Sequence, residues 1–187
     1  VLGLSIGTRT DCVTNEILDF LVEKSKDKEI WVEYGIQSFF QTTLDKINRA
    51  DNVENMEFWI KRTKEKGLNV CGHLIYGLPD ETEQMMLETF RKTISLNVDS
   101  IKFHPLYVVK NTLLTNEYKK GRFEPISEEL YINTVVKSII NLPKNVVVQR
   151  VTAGIDDDTL LSPFWCKNKH QQIKKIREAL LLEGFDY

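Results

Sequence analysis

Apolar residues along the chain recur at two different periods, and the switches between them mark out the elements. Runs such as Ile30-Trp31-Val32-Glu33-Tyr34-Gly35-Ile36 alternate and read as strands. Stretches such as Ile17, Leu18, Leu21 and Val22 repeat at three and four positions and read as helices. The pattern predicts strands at Val1–Ile6, Ile30–Ile36, Leu68–Ile75, Ser100–Leu106 and Val146–Val151. It predicts helices at Asn15–Lys26, Thr42–Asn48, Val53–Lys66, Glu81–Leu96, Leu113–Lys120, Glu128–Asn141 and Lys169–Glu183. Thr14 and Ser127 stand where a side-chain oxygen is needed to accept from a first-turn N–H. Gly67 and Gly121 stand where a helix can stop on a positive φ.

Strand and helix alternate almost without exception, which indicates a parallel sheet in an α/β fold. A doubly wound dinucleotide-binding sheet would carry GxGxxG after its first strand. Gly3-Leu4-Ser5-Ile6-Gly7-Thr8 does not supply it, and no Walker loop occurs. The expected architecture is an open partial (β/α) barrel over residues 1–151, followed by a loop and helix over 152–187.

Polar residues favour the barrel. A parallel strand buried on both faces reads as a continuous apolar run, and these strands break that rule towards their C-terminal ends. Ser5, Gly7 and Arg9 share one face of the first strand, and Glu33, Gly35 and Gln37 one face of the second. His73, Lys102, His104 and Arg150 extend the same set on later strands. Glu33, Gln37, His73, Lys102, His104 and Arg150 would converge on the interior near the C-terminal rim, where barrel enzymes keep their active sites. Plainer readings stand beside this one. A buried histidine is commonly a hydrogen-bonded core residue, Glu33 with Lys102 also reads as a structural ion pair, and Cys71 as an apolar filler. A metal site on Cys71, His73 and His104 has no zinc-type spacing to support it. Asp156-Asp157-Asp158 lacks the rest of a calcium loop and reads as a solvated turn.

Composition narrows the class. The chain has 187 residues, 42% hydrophobic and 28% charged, which is globular and excludes disorder. A net charge of −2 gives no overall electrostatic case for nucleic acid or a membrane surface. No apolar run approaches the roughly 20 residues that span a bilayer. Cys12, Cys71 and Cys166 are odd in number and scattered, so neither a disulfide framework nor a CxxC site is expected, and a reducing cytoplasmic compartment fits. The chain opens Val1-Leu2-Gly3 on a strand pattern without a methionine, and is expected to be part of a longer polypeptide.

Several strings resemble the radical S-adenosylmethionine superfamily, and within it the YhcC/YtqA-like group, related to the Elongator catalytic subunit and the oxygen-independent coproporphyrinogen oxidase. They are Leu4-Ser5-Ile6-Gly7-Thr8-Arg9-Thr10-Asp11-Cys12, Glu33-Tyr34-Gly35-Ile36-Gln37-Ser38 with Ile47-Asn48-Arg49, and Cys71-Gly72-His73-Leu74-Ile75-Tyr76-Gly77-Leu78-Pro79. Ile101-Lys102-Phe103-His104-Pro105-Leu106, Gln149-Arg150-Val151-Thr152 and Ser162-Pro163-Phe164-Trp165-Cys166 follow in the family's order. The sequence departs from the group at Gly7, where a glutamate facing the cofactor is common, and at Thr10, where proline is usual.

The resemblance implies the later strands of a (β/α)6 barrel in an oxidoreductase that uses S-adenosylmethionine and a 4Fe–4S cluster to generate a 5′-deoxyadenosyl radical. The CxxxCxxC loop that ligates the cluster does not occur in this sequence, so this piece alone is expected to be inactive and to hold no metal. Carried over by position, Glu33, Gln37, Arg49, His73 and Gly77 would bind the cofactor. Arg9, Lys102, His104 and Arg150 would line its rim or meet substrate. The implied partners are a small-molecule or RNA substrate and an electron donor such as flavodoxin or ferredoxin. Two other functions fit the residues alone: a lyase or aldolase forming a Schiff base on Lys102, and a non-catalytic ligand-binding scaffold.

Overall fold

The computed structural model describes residues 1–185. Five strands, β1 (Gly3–Thr8), β2 (Glu29–Gln37), β3 (Asn69–Tyr76), β4 (Ser100–Pro105) and, later in the chain, β6 (Val147–Arg150), form one sheet in the order β1-β2-β3-β4-β6. The β1/β2 and β2/β3 pairings are parallel. In that order β1 and β6 stand at the two ends. Between the strands lie α1 (Asn15–Lys24), α2 (Gln41–Lys46), α3 (Val53–Glu65), α4 (Glu83–Ser95), α5 (Leu113–Lys119) and α6 (Glu128–Ile140), and α7 (Lys169–Leu182) follows the last strand. The fold is α/β, as the alternation predicts. No helix is long and apolar enough to cross a membrane among the described residues.

Helix ends follow local chemistry. Thr14 Oγ1 accepts from Ile17 N–H and Ser127 Oγ from Leu130 N–H. Asn52, Thr82 and Asn168 do the same for α3, α4 and α7. Each bond satisfies a donor that the helix cannot, and is worth about 1 kcal/mol. Gly67 and Gly121 end α3 and α5 with φ of 79° and 68°. The alternation pattern does not reveal β5 (Val108–Val109) and β7 (Leu160–Ser162), an antiparallel pair too short for any periodicity.

The chain divides into two compact units. The first comprises residues 1–74, 88–102 and 143–149; the second comprises 75–87, 103–142 and 150–187. In the first, Val32, Tyr34, Ile36, Val70 and Leu74 are buried on the strand face that meets helices. Tyr34 and Thr63 of α3 share a 2.7 Å hydrogen bond there. A Cβ on Gly72 would stand 2.8 Å from Thr93 of α4, so only glycine allows that helix so close. Asp99, just before β4, ties several elements together. Its N–H donates to Val70 O (2.9 Å), its carboxylate accepts from Val70 N–H (2.7 Å) and Lys64 Nζ (2.6 Å), and its carbonyl accepts from Val147 N–H (2.9 Å). In the second unit the core is aromatic. Phe103, Tyr76, Tyr131 and Trp165 follow one another with ring centroids 5.4–6.3 Å apart. Tyr76 Oη pairs with Ser138 Oγ of α6 at 2.8 Å.

Candidate functional site

The sheet face opposite the helices carries the polar residues. Register places Gly7 beside Glu33, Glu33 beside Cys71, and Gly35 beside His73. Glu33 is the centre of a cluster in the first unit. Its two oxygens each accept from Lys102 Nζ at 2.6 Å, one accepts from His73 Nε2 at 2.7 Å, and the other from Ser5 Oγ. Burial pushes the Glu33 carboxyl up, but hydrogen bonds from Lys102, Ser5 and His73 outweigh that and lower it from 4.5 to about 2. Glu33 is therefore an anion at neutral pH, and the His73 nitrogen facing it carries the proton.

Gln37 and Arg49 gather a short distance along the same face. A bulge interrupts the β2/β3 register between Gly35 and Gln37, and Gln37 has a φ of 68°. Bulges re-aim side chains, and here Gln37 folds back over Gly35. A Cβ on Gly35 would stand 2.9 Å from Gln37 Nε2 and 3.1 Å from Arg49 Nη2. Arg49 Nη2 donates to Gly35 O, while Arg49 Nε is buried with no hydrogen-bond partner. Burial, and then the charge of Arg9, lower the Arg49 pKa. Arg9 itself is not brought into the group. Strand β1 ends at Thr8, and Arg9 turns to Asp11, its Nε donating at 2.8 Å on the exposed surface.

Gly77, His104 and Arg150 belong to the second unit. Gly77 has a φ of 88°, and a Cβ there would stand 2.7 Å from Ile126, so its lack of a side chain serves packing. It also lines a cleft of about 430 Å³ with Leu78, Met86, Phe123 and Leu130. His104 Nδ1 donates to Pro105 O at 2.7 Å, and its ring lies 5.0 Å from that of Tyr107. Arg150 closes β6. Sequence reasoning did not single out Ser5 or Tyr107. Ser5 was within reach of it, since it lies two residues before Gly7 on the Glu33 face; Tyr107 follows the end of β4, where alternation gives no guide.

Known proteins decide the family. Residues 2–93 match the model of the Radical SAM superfamily, and residues 98–181 that of the Radical_SAM C-terminal domain. The chain belongs to the radical SAM superfamily. It is 37% identical over 170 residues to protein YhcC of Escherichia coli (strain K12), covering 90% of this chain and 55% of that one. It is 33% identical over 184 residues to the uncharacterized protein YtqA of Bacillus subtilis (strain 168), covering 98% and 57%. The chain thus spans little more than half the length of these relatives. The structure of Elp3 from the archaeon Methanocaldococcus infernus, with an N-terminus deletion, superposes with a TM-score of 0.86 at 23% identity, over 99% of this chain and 43% of that one. The fold is shared with that structure.

Radical SAM proteins use S-adenosylmethionine and a 4Fe–4S cluster. The residues of the first unit fit the former. Arg49 presents a buried N–H with no acceptor beside the Gln37 amide, and the space over Gly7 is open, with nothing within 4 Å of where a Cβ would stand. They do not fit the cluster. No group of three metal-ligating side chains comes together among the described residues; Cys71 and Cys166 are buried and Cys12 is exposed.

Proposed function

We propose that this chain is the cofactor- and substrate-binding part of a radical SAM iron–sulfur enzyme, with Gln37 and Arg49 holding the methionyl end of S-adenosylmethionine. The reading rests on one observation: the Arg49 guanidinium, anchored at one end on Gly35 O, has a buried Nε without a protein acceptor. A carboxylate is the natural partner for such a donor, because a charge-assisted hydrogen bond removes the penalty of leaving it unpaired. Gln37 adds a donor and an acceptor at the same place.

When bound, the cofactor supplies one-electron chemistry through reductive cleavage of a carbon–sulfur bond. The chain's residues prepare the surface on which that happens. Glu33 holds Lys102 and His73 on the sheet face, and His73 faces the ribose in this reading. An enclosed site keeps water from the reactive species. The family's chemistry needs a reductant, and a flavodoxin or ferredoxin is the expected donor. The cluster's thiolates would come from the rest of the polypeptide.

The test uses the full-length protein prepared without oxygen. Arg49→Ala and Gln37→Ala should each weaken S-adenosylmethionine binding by roughly tenfold to a hundredfold, with the cluster absorbance unchanged. Unaltered affinity in both variants removes the reading.

A further inference from the structure

Glu33 is held from several strands at once. Ser5 reaches it from β1, His73 from β3 and Lys102 from β4, all within the first unit. Lys102 Nζ donates to both carboxylate oxygens at 2.6 Å. Ser5 Oγ adds a second bond to one oxygen, and His73 Nε2 adds a 2.7 Å bond to the other. A carboxylate accepts about four hydrogen bonds, so its capacity is filled and its plane is fixed. Burial alone would favour a neutral Glu33 carboxyl, and the bonds from Lys102, Ser5 and His73 keep it ionised. The difference reaches His73. An ionised carboxylate only accepts, so the ring nitrogen facing it has to carry a proton. A protonated carboxyl can instead donate to that nitrogen and send the ring proton to the other side. Lys102 also balances the charge of Glu33, and a second proton on His73 would leave this partly buried cluster with an uncompensated positive charge.

We propose that Lys102 and Ser5 are positioning residues that act through Glu33 to hold His73 as a neutral ring with its proton on Nε2. Neither acts by touching the cofactor. In that tautomer Nδ1 is an acceptor, the complement of a hydroxyl group. The consequence for S-adenosylmethionine rests on the reading above, in which His73 faces the ribose: one tautomer in one orientation recognises a sugar hydroxyl, and a mixture does so poorly. The hold on the tautomer itself rests only on the cluster.

The test is NMR of full-length protein prepared without oxygen and carrying 15N-labelled histidine. The His73 ring signals are assigned by their loss in His73→Gln. At pH 7 the wild-type ring should show one protonated and one unprotonated nitrogen, with the proton on Nε2. Lys102→Met and Ser5→Ala should each move both nitrogen signals away from that pattern and weaken S-adenosylmethionine binding by about fivefold to tenfold. Lys102→Arg and Ser5→Thr, which keep the cation and the hydroxyl, should keep the wild-type pattern. A wild-type ring that is doubly protonated, or carries its proton on Nδ1, overturns the proposal. So do unchanged ring signals in both Lys102→Met and Ser5→Ala. Altered ring signals with unaltered cofactor affinity would uphold the positioning role and remove the ribose contact. Failure of the Arg49 and Gln37 variants to affect cofactor binding would leave the ring signals untouched, so the two readings fail separately.

Discussion

Glu33 and Lys102, 69 positions apart in the chain, meet through two hydrogen bonds of 2.6 Å, one to each carboxylate oxygen. Neither residue lies on the strand between them. They meet because β3 separates β2 from β4, and a long lysine spans it on the face where His73 already stands. The pair is partly out of water, so its strength depends on both partners remaining charged.

That dependence gives a pH signature. The Glu33 carboxyl is lowered from 4.5 to about 2 in the folded protein, so its contribution to stability is complete above about pH 4.5. It is lost as pH falls towards 2. Glu33→Gln should destabilise the full-length protein by about 1–3 kcal/mol at pH 7. In urea unfolding at several pH values, the gap between wild type and variant should stay constant from pH 7 to 5 and narrow below 4.5. A gap that widens on acidification would contradict the cluster.

Glycines on these strands serve different ends, and alanine separates them. Gly77→Ala combines a φ of 88° with a contact of 2.7 Å to Ile126, and should cost about 1–3 kcal/mol. Trimming Ile126 to alanine in the same chain should remove the clash but not the backbone strain. Gly7→Ala meets nothing within 4 Å and should leave the denaturation midpoint unchanged or slightly raised.

Gly35→Ala probes binding more than stability. Its new methyl would press on the far ends of Gln37 and Arg49, which can yield. Stability should change by less than about 1 kcal/mol, while affinity for S-adenosylmethionine falls roughly tenfold. Calorimetry with wild-type affinity would show that these two side chains do not depend on the glycine.

The three thiols should react unequally. Cys12 is exposed, Cys71 and Cys166 are buried, and burial pushes the Cys166 thiol up to about 12. Brief iodoacetamide treatment of native protein, followed by peptide mapping, should find the label on Cys12 alone. Denaturant should expose the other two.

Much of this arrangement can be read from residue order, and the reasons are local. Thr14, Ser127, Gly67 and Gly121 mark helix ends because capping needs only neighbouring atoms. Glu33, His73 and Lys102 fall on one face because a strand alternates strictly, whatever lies around it. Other features depend on distant contacts. Val1 and Leu2 look like the start of β1 but are almost fully exposed, and the strand runs from Gly3 to Thr8 instead. The bulge at Gln37 arises from pairing with β3, and the pairing of β5 with β7 joins segments some 50 residues apart. Arg9 follows the alternation in sequence, yet its charge finds Asp11 two residues on.

Asp99 has a consequence further along the strand it precedes. By bonding both polar groups of Val70, and through its own carbonyl Val147, it sets how β4 is threaded relative to its neighbours. Lys102 lies three residues downstream. A slip of one residue would turn Lys102 to the helix side and bring Ile101 or Phe103 to face Glu33. The acidic side chain before β4 thus acts as a calibration mark for the charge balance around Glu33.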